Sequence, residues 1–173
     1  MKDLFPPLDG IVDKYPLDKI FKGELKATLR PLEEADHQAL FNFFKAVPEN
    51  ERLFIKHQVQ DPDVIKRWCE KLDLEKDFPL LALGENGQIL AACSFHQNGF
   101  GWKRHIGRVS VFVHPDFRRR GLAYALVEEL MGVARQLGLE KLEAEFVAEQ
   151  ERAIKVFALL GFSDLVNFPK YVM

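Results

Sequence analysis

The sequence predicts an α/β domain in which helices cover one mixed β-sheet. Three observations carry this. Apolar runs of strand length alternate with segments of helical periodicity along most of the chain. Asn86-Gly87 lies between two apolar runs and marks a tight hairpin, hence an antiparallel pair. A strand-like run ending at Val113 passes through Pro115 into a helical pattern and then into another strand-like run, which calls for a parallel, right-handed crossover. The 173 residues, 47% hydrophobic and 12% aromatic, suffice for one such core. Residues 25–173 are read as a single domain. Residues 1–24 are read as an irregular leader laid against it, because Pro6, Pro7, Gly10 and Pro16 interrupt any long helix.

Taken in order, Leu25 to Leu32 alternates as a first strand, and Glu33 to Asp36 starts a helix that runs to about Ala46. Asp61 is the N-cap of a second helix with Pro62 in its first turn, and Val64, Ile65, Trp68 and Leu72 share one face. The two runs around Asn86-Gly87 are strands two and three, and His105 to Val113 is strand four. From Gly121 the apolar residues Leu122, Leu126, Leu130, Val133 and Leu137 recur at helical spacing until Gly138 stops the pattern. Lys141 to Val147 is a fifth strand. A helix with Ile154, Phe157 and Leu160 inward follows it and ends at Gly161, and Phe162 to Phe168 fits a last strand.

Bulk charge excludes several classes of function. With 24 basic and 26 acidic side chains the net charge is -2, so no global field recruits nucleic acid or an anionic membrane. Any basic site must be local. Cys69 and Cys93 form no C-x-x-C, and His37, His57, His96, His105 and His114 show no metal-ligand spacing, so reduced thiols and no metal are expected. The N-terminal stretch lacks a long apolar segment, and no run approaches the roughly 18 apolar residues of a membrane span, so a cytoplasmic protein is expected.

The chemistry concentrates where strand four meets its helix. Pro115, Asp116 and Phe117 stop the strand, and Gly121 permits tight curvature with close approach of a ligand. The segment Arg118 to Ala123 then offers unpaired backbone N–H groups and the positive end of a helix dipole at one point, an anion cradle with Arg118, Arg119 and Arg120 at its rim. Neither a Walker A nor a Rossmann glycine spacing is present.

Arg118-Arg119-Arg120-Gly121-Leu122-Ala123 fits the Gln/Arg-x-x-Gly-x-Gly/Ala signature of the GNAT superfamily of N-acetyltransferases, and the run from Gln150 to Phe162 resembles that family's second signature helix ending in Gly-Phe. The resemblance covers about Leu25 to Phe162. The opening from Thr28 to Phe44, followed by Val47 to Phe54, is similar to the GNAT domain of bacterial protein-lysine acetyltransferases. The resemblance implies a GNAT-like sheet of six or seven strands with four helices, in which strands four and five are parallel and splayed to admit acetyl-CoA. It places the pyrophosphate on the backbones of Arg119, Gly121 and Ala123, with Leu122, Tyr124 and Ala125 in the first helical turn. It gives Val113 a backbone pairing with the pantetheine arm, and the Val111 N–H a place facing the thioester oxygen. Gln150 stands where the family usually has Asn, and Phe157 stands as both core and cofactor wall.

Two departures bear on catalysis. Phe157 occupies the position of the Tyr thought to protonate the leaving thiolate in many members, and Arg108 that of the usual Glu base; Glu145 on strand five is the nearest replacement carboxylate. The expected acceptor is a small-molecule amine or a protein lysine or N-terminus, attacked without a covalent intermediate. The competing expectation is an acyl-CoA-binding module that has lost its acid–base residues. The segment from Phe168 to Met173 leaves little room for a seventh strand and is expected to cap the sheet edge or to pair in a homodimer.

Overall fold

The structure, a computed structural model, describes residues 8–52, 55 and 58–169. The strands are β1 (Leu17–Phe21), β2 (Leu25–Pro31), β3 (Asp77–Leu83), β4 (Ile89–Gln97), β5 (Ile106–Val113) and β6 (Lys141–Glu143). The helices are α1 (Leu8–Val12), α2 (His37–Ala46), α3 (Glu49–Arg52), α4 (Pro62–Glu70), α5 (Leu122–Gln136) and α6 (Glu151–Leu159). The strands form one sheet in the order β1-β2-β3-β4-β5-β6, antiparallel throughout except for the parallel β5–β6 pair.

β3 and β4 are central, and their continuous apolar runs serve two cores at once. Along β3, Phe78, Leu80 and Ala82 face the cluster formed with α5, whose Leu122, Leu126, Val127, Leu130 and Val133 are buried. Leu81 and Leu83 face the opposite cluster, with Leu40, Phe43 and Phe44 of α2 and Ile65 and Cys69 of α4. That second face is covered only in part. Beyond Ala92 and Phe112, its polar residues Ser94, His96, Arg108 and Ser110 stay open.

Two expectations change. The leader is not irregular: Ile11 of α1 is buried in the core, and β1 pairs with β2 from Leu17↔Leu29 to Phe21↔Leu25. Lys19 faces inward and Ile20 outward, so the segment lacks the alternation that announces a strand and is recruited instead by its hairpin partner. Lys14 and Tyr15 further tie it to Glu129 of α5, with the Tyr15 hydroxyl donating at 2.8 Å. At the other end, Phe162 to Phe168 forms no strand, and Leu165, Val166 and Phe168 are exposed. Its apolar positions 162, 165, 166 and 168 do not keep period two, so no register would bury one face. The six strands are thus reached with β1 in place of the predicted last one, and α1 and α3 add to the four predicted helices. Positions 170–173 of the C-terminal segment lie outside the described residues.

The predicted fifth strand also shortens, to Lys141–Glu143. It pairs with β5 only at Ile106↔Lys141, Gly107↔Leu142 and Arg108↔Glu143, after which the chain from Ala144 onward leaves β5. The two strands part at Val109. Gly107 lets them meet closely before they diverge, since a Cβ there would stand 2.9 Å from Leu142 and 3.0 Å from Leu139.

Candidate active site

The corner between β5 and α5 is built by local backbone chemistry. His114 caps a single 3-10 turn, Pro115–Phe117: its ring accepts from the Asp116 N–H and its carbonyl from the Phe117 N–H. Arg118 is extended, Arg119 is left-handed at φ 64, and Gly121 is left-handed at φ 86 as the N-cap of α5, with no side-chain cap. A non-glycine residue in the left-handed region is uncommon. The consequence is a row of N–H groups with nothing to bond: among the described residues, none from Arg118 to Tyr124 finds a backbone or side-chain acceptor. With the positive end of the α5 dipole behind them, these donors suit phosphate oxygens.

The three arginines part ways. The guanidinium of Arg118 reaches back to the Val113 carbonyl at 3.3 Å and clasps Glu51 of α3 at 2.9 and 2.7 Å. Its charge is neutralised in place, so it braces α3 against the corner. Arg120 turns to the Lys22 carbonyl at the β1–β2 turn, 3.2 Å away. Arg119 is exposed and has no salt bridge or side-chain hydrogen bond among the described residues, which leaves its charge open to a ligand at the rim. Leu122 is 1% exposed and offers only its N–H, while Tyr124 is 38% exposed and stands at the mouth.

The edge of β5 runs into this corner. The His114 N–H donates to Leu90 of β4 at 2.8 Å, and peptide groups alternate along a strand, so the N–H groups of Val113, Val111 and Val109 point the other way, toward β6. Past Arg108 no strand among the described residues meets them. An open strand edge therefore leads from the fork to the N–H cradle, a template for an extended amide-bearing chain.

The remaining predicted site residues lie across the fork. Gln150 closes its own loop, its Oε1 accepting from the Val147 N–H at 3.0 Å, which leaves its Nε2 as donor. Phe157 is 2% exposed, edge-on to Phe146 and Phe162 with both ring centroids 4.8 Å away. It belongs to the core rather than to a cofactor wall. Glu145 is exposed and holds Arg108 at 3.1 Å, so the apolar enclosure expected of a carboxylate base is missing. The thiols are out of reach as nucleophiles. Burial pushes that of Cys93 well above its usual range, and burial with nearby carboxylates pushes Cys69 up to about 11. Among the described residues no group of three or more His, Cys, Asp or Glu is placed to hold a metal ion, and no helix is long and apolar enough to cross a membrane.

The model of the acetyltransferase (GNAT) family matches residues 37–162, the stretch that contains both cradle and fork. The chain belongs to the GNAT family of acetyltransferases. The L-amino acid N-acyltransferase MnaT of Escherichia coli is 30% identical over 114 residues, 65% of this chain and 66% of the relative, just under two thirds of its length. The L-methionine sulfoximine/L-methionine sulfone acetyltransferase of Salmonella typhimurium is 26% identical over 83% of this chain and 84% of the relative. The GNAT domain of S. lividans PAT has the same fold, with a TM-score of 0.78 at 22% identity over 90% of this chain and 92% of that one. The protein yncA of Salmonella typhimurium, solved with its cofactor acetyl-CoA, matches with a TM-score of 0.71 at 24% identity over 85% of each chain.

In this acetyltransferase the open face of the sheet carries a polar row that no linear motif announces. Register places Asp77 of β3 opposite His96 of β4, and His96 opposite Arg108 of β5. The Asp77 carboxylate and His96 Nδ1 are 2.7 Å apart, and the Ser94 and Ser110 hydroxyls of the neighbouring row are 3.2 Å apart. The sequence shows His96 as a singly placed histidine, because its partner is 19 residues away and arrives only through the hairpin.

Proposed function

We propose that this acetyltransferase moves the acetyl group of acetyl-CoA onto a small primary amine by direct attack. The observation that carries the reading is the run of unmet N–H groups from Arg118 to Tyr124, continuous with the unpaired edge of β5. Such donors offer fixed dipoles to a pyrophosphate, and Val113 offers an N–H to the amides of a pantetheine arm. The Val111 N–H faces the fork between β5 and β6, where it is the donor for a carbonyl oxygen that gains charge as nitrogen attacks. Gln150 Nε2 contributes a second polar contact from the far side of the fork. Arg119 supplies the free charge of the rim.

Acetyl-CoA supplies an acyl carbon activated as a thioester, which the amine takes with release of CoA thiol. Buried thiols at Cys69 and Cys93 offer no acyl-enzyme route, which favours attack by the acceptor itself. The names of the two curated relatives, which act on L-amino acids and on methionine sulfoximine or sulfone, favour a small amino-acid-like amine over a protein lysine or N-terminus.

The test is release of free CoA thiol from acetyl-CoA with a panel of primary amines that includes L-amino acids and L-methionine sulfone. Amine-dependent release is expected. CoA binding by titration calorimetry with no release across the panel would make the protein an acyl-CoA-binding module instead.

A further inference from the structure

The reaction needs a proton acceptor, since an aliphatic amine arrives mostly as ammonium and must lose a proton before it attacks. The positions that would ordinarily accept it do not: Arg108 presents a guanidinium, a donor group with no acceptor, and Glu145 spends its charge on Arg108. The same sheet face carries another arrangement. The Asp77 carboxylate holds Nδ1 of His96, which fixes the tautomer with its proton on Nδ1 and turns Nε2 outward as an acceptor. Both side chains are accessible, His96 by 57% and Asp77 by 39%, so an amine or a water can reach the ring.

We infer that the Asp77–His96 pair is the base of this acetyltransferase, with His96 receiving the ammonium proton by way of the Ser94 and Ser110 hydroxyls and Asp77 positioning the ring. This rests on the acetyl-transfer reading above. Ser110 precedes Val111, whose N–H faces the fork, and its hydroxyl meets that of Ser94 on the same open face. Ser94 lies two residues from His96 on one face of β4, about 7 Å along the strand, a gap that a chain of two waters spans. The protons balance. The ammonium gives one proton through this path to Nε2, and His96 returns it to solvent. The nitrogen lone pair forms the C–N bond, the C–S bond breaks, and a second proton from nitrogen ends on the departing sulfur. The charged groups facing the ring are Asp77 from β3 and Arg108 from β5, the latter paired with Glu145; Lys76 beside Asp77 is paired with Asp73.

Turnover of wild-type enzyme with acetyl-CoA and its best amine from the panel is compared with His96→Gln, His96→Ala, Asp77→Asn and Glu145→Gln, each first titrated with CoA. His96→Gln should lower kcat by about 10²–10³-fold and abolish the acidic limb of the pH–rate profile, with CoA affinity unchanged. Added imidazole should restore part of the His96→Ala rate, which a structural role would not allow. Asp77→Asn should cost about tenfold in kcat, as expected for a group that acts through the ring. Near-wild-type turnover and an intact acidic limb in His96→Gln would overturn the assignment while leaving acetyl transfer in place. So would a large loss in Glu145→Gln with none in His96→Gln. Absence of amine-dependent release in the wild type would overturn acetyl transfer itself, and the base with it.

Discussion

Gly121 shows how much one residue can carry. Its φ of 86 opens the first turn of α5, and a Cβ there would meet nothing within 4 Å, so conformation and not space demands glycine. A β-branched residue would be forced out of the left-handed region and would rotate the neighbouring N–H groups away from their common focus. Gly121→Val should therefore weaken CoA binding at least tenfold, about 1.4 kcal/mol, while the protein still melts cooperatively. Unchanged affinity in the folded variant would remove the cradle from the account. Asp36 carries a different burden. Burial pushes its carboxyl up, but the bidentate hydrogen bonds from Arg30 at 2.7 Å, the Glu33 N–H and the Arg30 charge outweigh it, and the net effect lies below the usual carboxylate range. A depressed folded value means that this stabilisation is complete above the ordinary carboxylate range and is lost as pH falls through the lower folded value. Asp36→Asn should cost about 2 kcal/mol at neutral pH and flatten the loss of stability in acid; denaturant melts from neutral to acid pH read both. The Gly121 signal is legible in sequence because a cradle is made of consecutive residues. The Asp77–His96 pair is not, because register alone brings it together.

At the level of elements, the fork is what turns a sheet into a site. The sequence shows Lys141 to Val147 as one alternating strand, and only the first three residues pair. Alternation reports which face a side chain takes and says nothing about whether the backbone has a neighbour, so the parting of β5 and β6 was available through family resemblance and not through periodicity. β1 was missed for the converse reason: its pairing is real while its pattern is broken by Lys19 and Ile20. α6 tests whether the core side of the fork also does chemistry. With Phe146 and Phe162 edge-on to Phe157, a hydroxyl added there would be buried without a partner. Phe157→Tyr should cost about 1–3 kcal/mol by thermal or denaturant unfolding and bring no gain in turnover. Retained stability with faster turnover would instead return that position to the leaving-group side of the reaction.

Across the whole molecule the design is a rigid frame with local recognition. A net charge of -2 gives no field to gather an anion, so under the proposed function the attraction comes from the α5 terminus, the unmet N–H groups and Arg119, while Arg118 and Arg120 hold α3 and the β1–β2 turn against the corner. Cores on both faces pack against β3 and β4, so the edge of β5 is presented by a sheet anchored at its centre. That placement makes one measurement decisive: amide chemical-shift mapping of the labelled protein as acetyl-CoA is added. An acetyl-CoA site on the cradle and the β5 edge predicts saturable shifts that are largest at the amides of Arg119 to Tyr124 and of Val111 and Val113. Saturable shifts centred elsewhere, or none at those amides, would contradict it.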